Sequence, residues 1–376
     1  MGMSRAVRRL LGGAALALAV TVGGNLPGAL PTPSATASNS PASVRWAEPV
    51  GLSEAAPAIL PQVQPVRIGV VETLSEVGIA LANDRGYFAE QGLTPEYVRF
   101  ESATFAVAPL SIGEIDVASG VVSAALFNAI NRGVELRIAG PQSRYEPGYG
   151  NVQLMLRRDL ADSGAVRDYA DLRGRTLAIN ATGSTVELLA ERALQRGGLA
   201  MSDVNIVQLG FGDQLPAFAN GAIDAGLVAE PTSTIAVDRG LAVKWREADE
   251  WSPGIQVSMA LYGPNYVSRN PDAGQRYMVA YLKGVRDSYN AMIAGRGDRE
   301  SVIQTMIRHT PLKDRALYDR MRWVYIDPDL RIVEDDLRAT MQWLVDRGLV
   351  EQPTDLNVAV DRRFSQHALG VLGPYQ

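Results

Sequence analysis

Two segments about a hundred residues apart share one grammar. "LSIGEIDVASG" (110–120) and "FANGAIDAGLV" (218–228) each read helix end, glycine, spacer, Ile-Asp, then small and apolar residues. Gly113 and Gly221 suit the left-handed position that closes a helix, and Asp116 and Asp224 then open the returning strand as turn residues. Upstream, "YFAEQGL" and "ALQRGGL" are helix ends leading into strands. The repeat predicts two similar α/β lobes. Around it, strand and helix patterns alternate. "VRIGVV" (66–71), "EYVRF" (96–100), "EIDVAS" (114–119) and "ELRIAG" (135–140) are strands, separated by helices over 77–93, 103–113 and 123–133. The alternation restarts with strands "TLAIN" (176–180), "VNIVQL" (204–209) and "AIDAGLV" (222–228), and helices after the first two. Such alternation predicts a largely parallel sheet in each lobe. An alternating strand follows in 251–263, then helical stretches at 271–295, 298–309 and 333–348 that should pack back on the first lobe. The chain would then cross between lobes twice, near 144–150 and 254–260.

Composition removes several classes of function. With 376 residues, 47% of them hydrophobic, the chain is long enough for two lobes. It has no cysteine, so no disulfide framework, thiolate metal site or cysteine nucleophile exists. His309 and His367 are its two histidines, too few for a histidine metal cluster, and no metal or cofactor is expected. Four of the 36 basic residues and none of the 41 acidic ones fall within positions 1–46, leaving the rest with 32 against 41. No basic stripe emerges for nucleic acid. Arg5, Arg8 and Arg9 precede the apolar run Leu10 to Val22, which has the form of a secretory signal over 1–24. A Pro/Ser/Ala-rich spacer over 25–64 follows, lacking the large apolar residues a core requires. The protein is therefore expected outside the cytoplasm, in the periplasm or at the cell surface.

A cleft between two α/β lobes is a natural ligand site, because ligands of open parallel sheets sit beyond the strand C-termini. The second lobe offers "NATGSTVELLAERAL" (180–194) there, and the first lobe "ETLSE" (72–76). Ser184 and Glu187 have capping-box spacing, which leaves Thr182, Gly183 and Thr185 for a ligand. The loop has no lysine before Ser184 and so is not a P-loop, no G-x-S-x-G elbow is present, and no carboxylate pair stands out for acid–base work. No catalytic residue is assigned.

With these residues in view, the chain resembles the periplasmic binding proteins of the nitrate/sulfonate/taurine-binding family, which includes relatives of a thiamine-pyrimidine synthase. "G-x-F-x-x-x-G-L" is carried by Gly86, Phe88, Gly92 and Leu93. "D-L-x-G-x-x-L-A" is carried by Asp171, Leu172, Gly174, Leu177 and Ala178. "G-x-x-D-A-x-x-x-x-E-P" is carried by Gly221, Asp224, Ala225, Glu230 and Pro231. The resemblance implies a two-lobed type II flytrap fold with a helical C-terminal extension, lobe 1 being 65–145 with 258–376 and lobe 2 being 146–257. It also implies a monomer that delivers a small molecule to an ABC permease in the membrane. The binding residues it points to are Glu72, Thr73 and Ser75, Val121 to Ser123, Thr182, Gly183, Ser184 and Thr185, and Glu230. Gln142, Tyr145 and Tyr262 are crossing-region candidates. Glu230 has a second use, capping the helix that starts at Pro231, and Tyr145 a second use in packing the hinge. Glu72 and Glu230 oppose a small anion, whereas Tyr145, Tyr149 and Tyr262 suit stacking. An aromatic heterocycle or aromatic acid is the expected ligand. A nitrate- or sulfonate-type anion is the alternative, and a ligand sensor for a membrane receptor a further one. Synthase enzymes of this fold carry a cysteine-rich motif that this chain lacks, which disfavours an enzyme.

Overall fold

The computed structural model describes residues 63–376 and the backbone of Ser43–Val44. The signal-sequence and most of the spacer expectations lie outside the described residues. Five strands come first: β1 (Ser43–Val44), β2 (Gln64–Val70), β3 (Leu93–Arg99), β4 (Val117–Val121) and β5 (Arg137–Arg144). Five more follow: β6 (Val152–Arg157), β7 (Thr176–Ile179), β8 (Asn205–Gln208), β9 (Ala225–Ala229) and β10 (Ala242–Glu247). Strand β11 (Gln256–Tyr262) returns to the first group. They form two sheets, ordered β1-β3-β2-β4-β11-β5 and β10-β6-β9-β7-β8.

Apart from the short edge strand β1, the two orders are the same, with β3, β2, β4, β11 and β5 matching β8, β7, β9, β6 and β10. The pairing senses match as well. Three strands run parallel in each sheet, and an antiparallel strand, β11 or β6, separates them from the last one. The sheets are thus mixed rather than largely parallel. The difference has a physical reason: each crossing delivers the chain straight into the interior of the opposite sheet, with no α-helix to turn it. Both inserted strands are buried along nearly their whole length; β6 therefore presents an apolar run rather than a half-buried alternation and escapes a periodicity-based reading, as does the half-buried edge strand β10.

The repeated Ile-Asp grammar has a repeated structural use. The Asp116 carboxylate accepts from the Arg67 N–H at 2.7 Å, and the Asp116 N–H donates to the Arg67 carbonyl at 2.9 Å. The Asp224 carboxylate accepts from Thr176 N–H at 2.9 Å, and the Asp224 N–H donates to the Thr176 carbonyl at 2.9 Å. Each aspartate pins the start of its strand to the neighbouring one, as the turn-residue reading expects.

The helical stretch expected over 77–93 is two helices, Val77–Asp84 and Tyr87–Glu90, broken at Gly86, which holds φ 74°. Behind them lies the long helix Pro271–Met292. The two approach so closely that a Cβ on Gly284 would sit 2.1 Å from the Gly78 carbonyl oxygen. Tyr277, Tyr281 and Leu282 from this helix join Ile68, Val70 and Phe88 in one buried cluster. Other contacts from this C-terminal region reach elements on the second sheet's side. Trp343 donates to Glu191 at 2.8 Å and Arg347 to Glu191 at 2.7 Å, while Arg322 pairs with Asp249 at 2.8 Å.

The two crossings, residues 145–151 and 248–255, lie side by side. Tyr145 N–H donates to the Ile255 carbonyl at 3.0 Å, and Gly254 N–H to the Tyr145 carbonyl at 2.8 Å. No helix among the described residues is long and apolar enough to span a membrane.

Candidate functional site

Strands β2, β4, β7 and β9 all end toward the space between the sheets, so the loops that follow them face each other across it. Two reciprocal backbone bonds close the gap. Leu74 N–H, in the loop after β2, donates to the Glu230 carbonyl at the end of β9, at 3.2 Å. Thr185 N–H, in the loop after β7, donates to the Val122 carbonyl at the end of β4, at 3.1 Å. The second contact is reinforced: Thr185 Oγ1 donates to the same carbonyl at 3.0 Å, and Ala124 N–H donates to the Gly183 carbonyl at 2.8 Å. Residues Ser123 and Ser184 thereby form a one-residue antiparallel bridge between lobes.

This geometry revises the expected use of the 182–185 loop. The Ser184 hydroxyl does not cap its helix but donates backward to the Ala181 carbonyl at 2.9 Å. Glu187 accepts from Gly183 N–H at 2.5 Å, one residue earlier than capping-box geometry requires. Thr182 is exposed, with its hydroxyl 3.4 Å from Gln208. The donors expected to be spare, those of Gly183 and Thr185, are engaged in the loop and in closure.

Beside these contacts lies a partly open cavity of about 30 Å³. Its polar wall is Thr73, Ser75, Ser119, Ser258, Asn151 and Asn180, completed by apolar residues that include Val121, Val186 and Phe211. Ser75 is the hub: its hydroxyl lies 2.7 Å from Thr73 Oγ1 and 3.4 Å from both Asn151 Nδ2 and Ser258 Oγ. The side-chain carbonyls of Asn151 and Asn180, two of the lining residues, are buried and have no partner, an unmet demand in this wall. No basic side chain lines it. Val71 and Phe211 also border a larger recess of about 210 Å³, lined by Glu72, Arg99, Phe100, Glu101, Asp213, Ile235 and Arg239 among others.

Glu76 stands directly behind this wall, fully buried. Its carboxylate accepts from Val71 N–H at 2.6 Å and Thr73 N–H at 3.3 Å, with the Ser119 hydroxyl beside it. Burial raises its pKa from the ordinary carboxyl value to about 7, against the lowering effect of those donors.

The sequence candidates divide cleanly. Thr73, Ser75 and Val121 meet in the cavity wall. Ser123, Gly183, Ser184 and Thr185 form the contact between lobes. Glu72 belongs to the outer recess, with φ 61° and its carboxylate paired to Arg99 at 2.8 Å. Gln142 is one layer back, accepting from Ser119 at 2.9 Å. The Glu230 side chain turns away from the cavity: it pairs with Lys244 and accepts from Thr234 N–H at 3.2 Å, the capping use. The tyrosines lie elsewhere. Tyr145 is buried in the hinge, its hydroxyl on the Val152 backbone. Tyr149 packs against the first-lobe core. Tyr262 sits within that core beside Tyr266, Tyr277 and Phe364, its hydroxyl donating to Gly274 at 2.8 Å. Arg144, the basic residue at the end of β5, is taken by Glu146 at 2.5 Å and by the Tyr325 ring. Sequence reasoning missed Ser119, Ser258, Asn151, Asn180 and Glu76. The first two carried a signal, being polar residues set inside apolar strands.

Two mixed α/β lobes of like topology, joined by a paired crossing and bordering a cavity with hydroxyl and amide groups on one wall, define a protein of the two-lobed periplasmic-binding type. Within that class the chain belongs to the NMT1-like family, whose model matches residues 60–247. A Bacillus subtilis protein named for aliphatic sulfonate binding is 25% identical over 327 residues, 82% of this chain and 89% of that one. The alkanesulfonate-binding protein SsuA from Xanthomonas axonopodis pv. citri, solved with MOPS, superposes with TM-score 0.65 at 20% identity, covering 81% of this chain and all of that one. The nitrate-binding protein NrtA from Synechocystis PCC 6803 superposes at 0.68 and 14% identity, covering 83% and 90%. The desulfurization enzyme DSZB shares the fold more distantly, at TM-score 0.56 and 13% identity over 82% and 99%.

Proposed function

We propose that this chain is the extracytoplasmic substrate-binding component of an ABC importer, closing its lobes over a small aliphatic molecule and handing it to a membrane permease. The observation that carries this reading is the pair of reciprocal backbone bonds, Leu74 to Glu230 and Thr185 to Val122, made beside a cavity with hydroxyl and amide groups on one wall. Contacts that cross between lobes beside the ligand space couple occupancy to closure. The ligand's polar head would enter the cavity, touching Thr73, Ser75, Ser119, Asn151, Asn180 and Ser258, and its chain would run past Phe211 into the outer recess. Binding without catalysis fits the names of the sulfonate- and nitrate-binding relatives, with the enzyme DSZB as the distant exception. An aromatic ligand loses its support, because Tyr145, Tyr149 and Tyr262 are engaged outside the cavity. The sulfonate-binding relatives favour an aliphatic compound bearing an oxyanion.

The test is a thermal-shift panel on the whole chain, with nitrate, alkanesulfonates, taurine, alkylamines, amides and pyrimidines. A bound ligand at 100 times its Kd adds about 2.7 kcal/mol, which raises the midpoint by several degrees at roughly 2–4 °C per kcal/mol. The shift should disappear in Ser75→Leu, which fills the hub of the cavity. Absence of a shift with every class would overturn the binding reading.

A further inference from the structure

The like topology of the two lobes sets Glu76 and Glu187 in corresponding places. Each lies two residues after the one whose N–H crosses to the other lobe, Leu74 or Thr185, and each holds a backbone N–H of its own loop. Their surroundings differ in one respect. Glu187 has a counter-charge, with Arg347 at 3.2 Å. Glu76 has none: among the described residues no lysine, arginine or histidine pairs with it. The groups around it are Glu72 on its own loop, Tyr97 on β3, Tyr277 on the long helix, Ser119 on β4 and Gln142 beyond Ser119. None of these is a cation. A buried carboxylate without a counter-charge is costly, yet this one stands behind three wall residues of the ligand cavity.

The wall shows the same bias. Two of its acceptors, the side-chain carbonyls of Asn151 and Asn180, are buried without a partner. Acceptors without partners favour an occupant that brings N–H donors. Resting on the ligand-binding reading above, we infer that the cavity selects a ligand head that is a positively charged nitrogen donor, an ammonium or amidinium, whose charge is balanced by Glu76. The oxyanion that the relatives' names suggest would then belong at the other end of the molecule. The basic side chains Arg99 and Arg239 line the outer recess there, beside Glu72, Glu101 and Asp213.

Such a head couples binding to the ionisation of Glu76. In the empty protein burial holds the carboxyl protonated up to about pH 7, and a bound cation draws the proton off. Affinity for a cationic head therefore rises with pH, whereas affinity for an anionic head placed in the same cavity falls.

The experiment is calorimetric titration of the full chain with propylammonium, acetamidinium, propionamide and ethanesulfonate at pH 6 and pH 8, on wild type and Glu76→Gln. The cationic probes should bind in preference to propionamide and ethanesulfonate, with affinity rising up to about tenfold from pH 6 to pH 8 as one carboxyl ionises. Glu76→Gln should lose both the preference and the pH dependence. Should that variant misfold, the infrared carbonyl band of a protonated buried carboxyl, followed in wild type at pH 6, should fall on adding propylammonium. Preferential binding of ethanesulfonate that weakens with pH, or cation binding untouched by Glu76→Gln in a folded protein, overturns the inference and leaves the importer reading standing. Failure of every probe, together with a flat thermal-shift panel, overturns both.

Discussion

Glu76 shows how one residue can serve the fold and oppose it at once. Its carboxylate holds the loop after β2 through two backbone N–H groups, which makes it a local clamp. It is also fully buried, and burial raises its pKa from 4.5 to about 7. The folded protein therefore binds this proton more tightly than the unfolded chain does. Stability from this group is complete below about pH 4.5, declines as pH rises, and reaches its floor above 7. The span is about 3 kcal/mol at 1.36 kcal/mol per unit. Urea unfolding at pH 5 and pH 8 should show wild type losing stability relative to Glu76→Gln across that interval. A parallel pair of profiles would mean the carboxyl stays ionised in the fold. Sequence could not single out Glu76 from Glu72 four positions earlier, because the difference is one of burial. Thr73 and Ser75 were legible from their place after the first strand.

At the level of elements, packing decides what propensity leaves open. Gly284 sits within a 22-residue helix, where glycine costs stability by itself. It is tolerated because the Val77–Asp84 helix passes directly over it, Gly78 facing Gly284. Gly284→Ala should thus lower stability despite alanine's better helix propensity, by about 1–3 kcal/mol from overpacking against backbone that cannot move aside. Chemical denaturation measures it, and a gain in stability would mean the helices separate at little cost. The strands teach a complementary lesson. The parallel ones were legible because each carries a short β-branched or apolar run and all but the first, β2, follow a helical turn or helix end. β6, β10 and the placement of β11 in the middle of the first sheet were not: the buried β6 lacks alternation, and all three pair with strands far away in sequence.

At the level of the whole molecule, closure is shared between the backbone bonds at the cavity and the late helices. Arg347, carried just after the Glu334–Asp346 helix, pairs with Glu187 and Glu191 on the second lobe's ligand-side helix. Glu187 in turn holds Gly183. Arg347→Ala should shift the ligand-free protein toward an open form. A partly exposed pair of this kind contributes about 0.2–1 kcal/mol. The expected readouts are a larger radius of gyration in small-angle scattering and a ligand affinity weaker by up to about fivefold, since 1.4 kcal/mol is tenfold. An unchanged radius would assign closure to the backbone bonds alone.

The sequence by itself determined the two-lobed α/β plan, because the repeated Gly-x-Ile-Asp grammar acts locally: a left-handed glycine ends each helix and an aspartate ties each new strand to its neighbour. It determined the places of the loops after β2 and β7 for the same reason. Only the tertiary structure decided what those loops do. Whether an N–H is spent on a helix cap, on the opposite lobe or on a ligand depends on what lies across the gap, and the residues there are more than fifty positions away. The same holds for charge. Glu187 and Glu230 have a cation beside them and Glu76 does not, and no local pattern distinguishes the three.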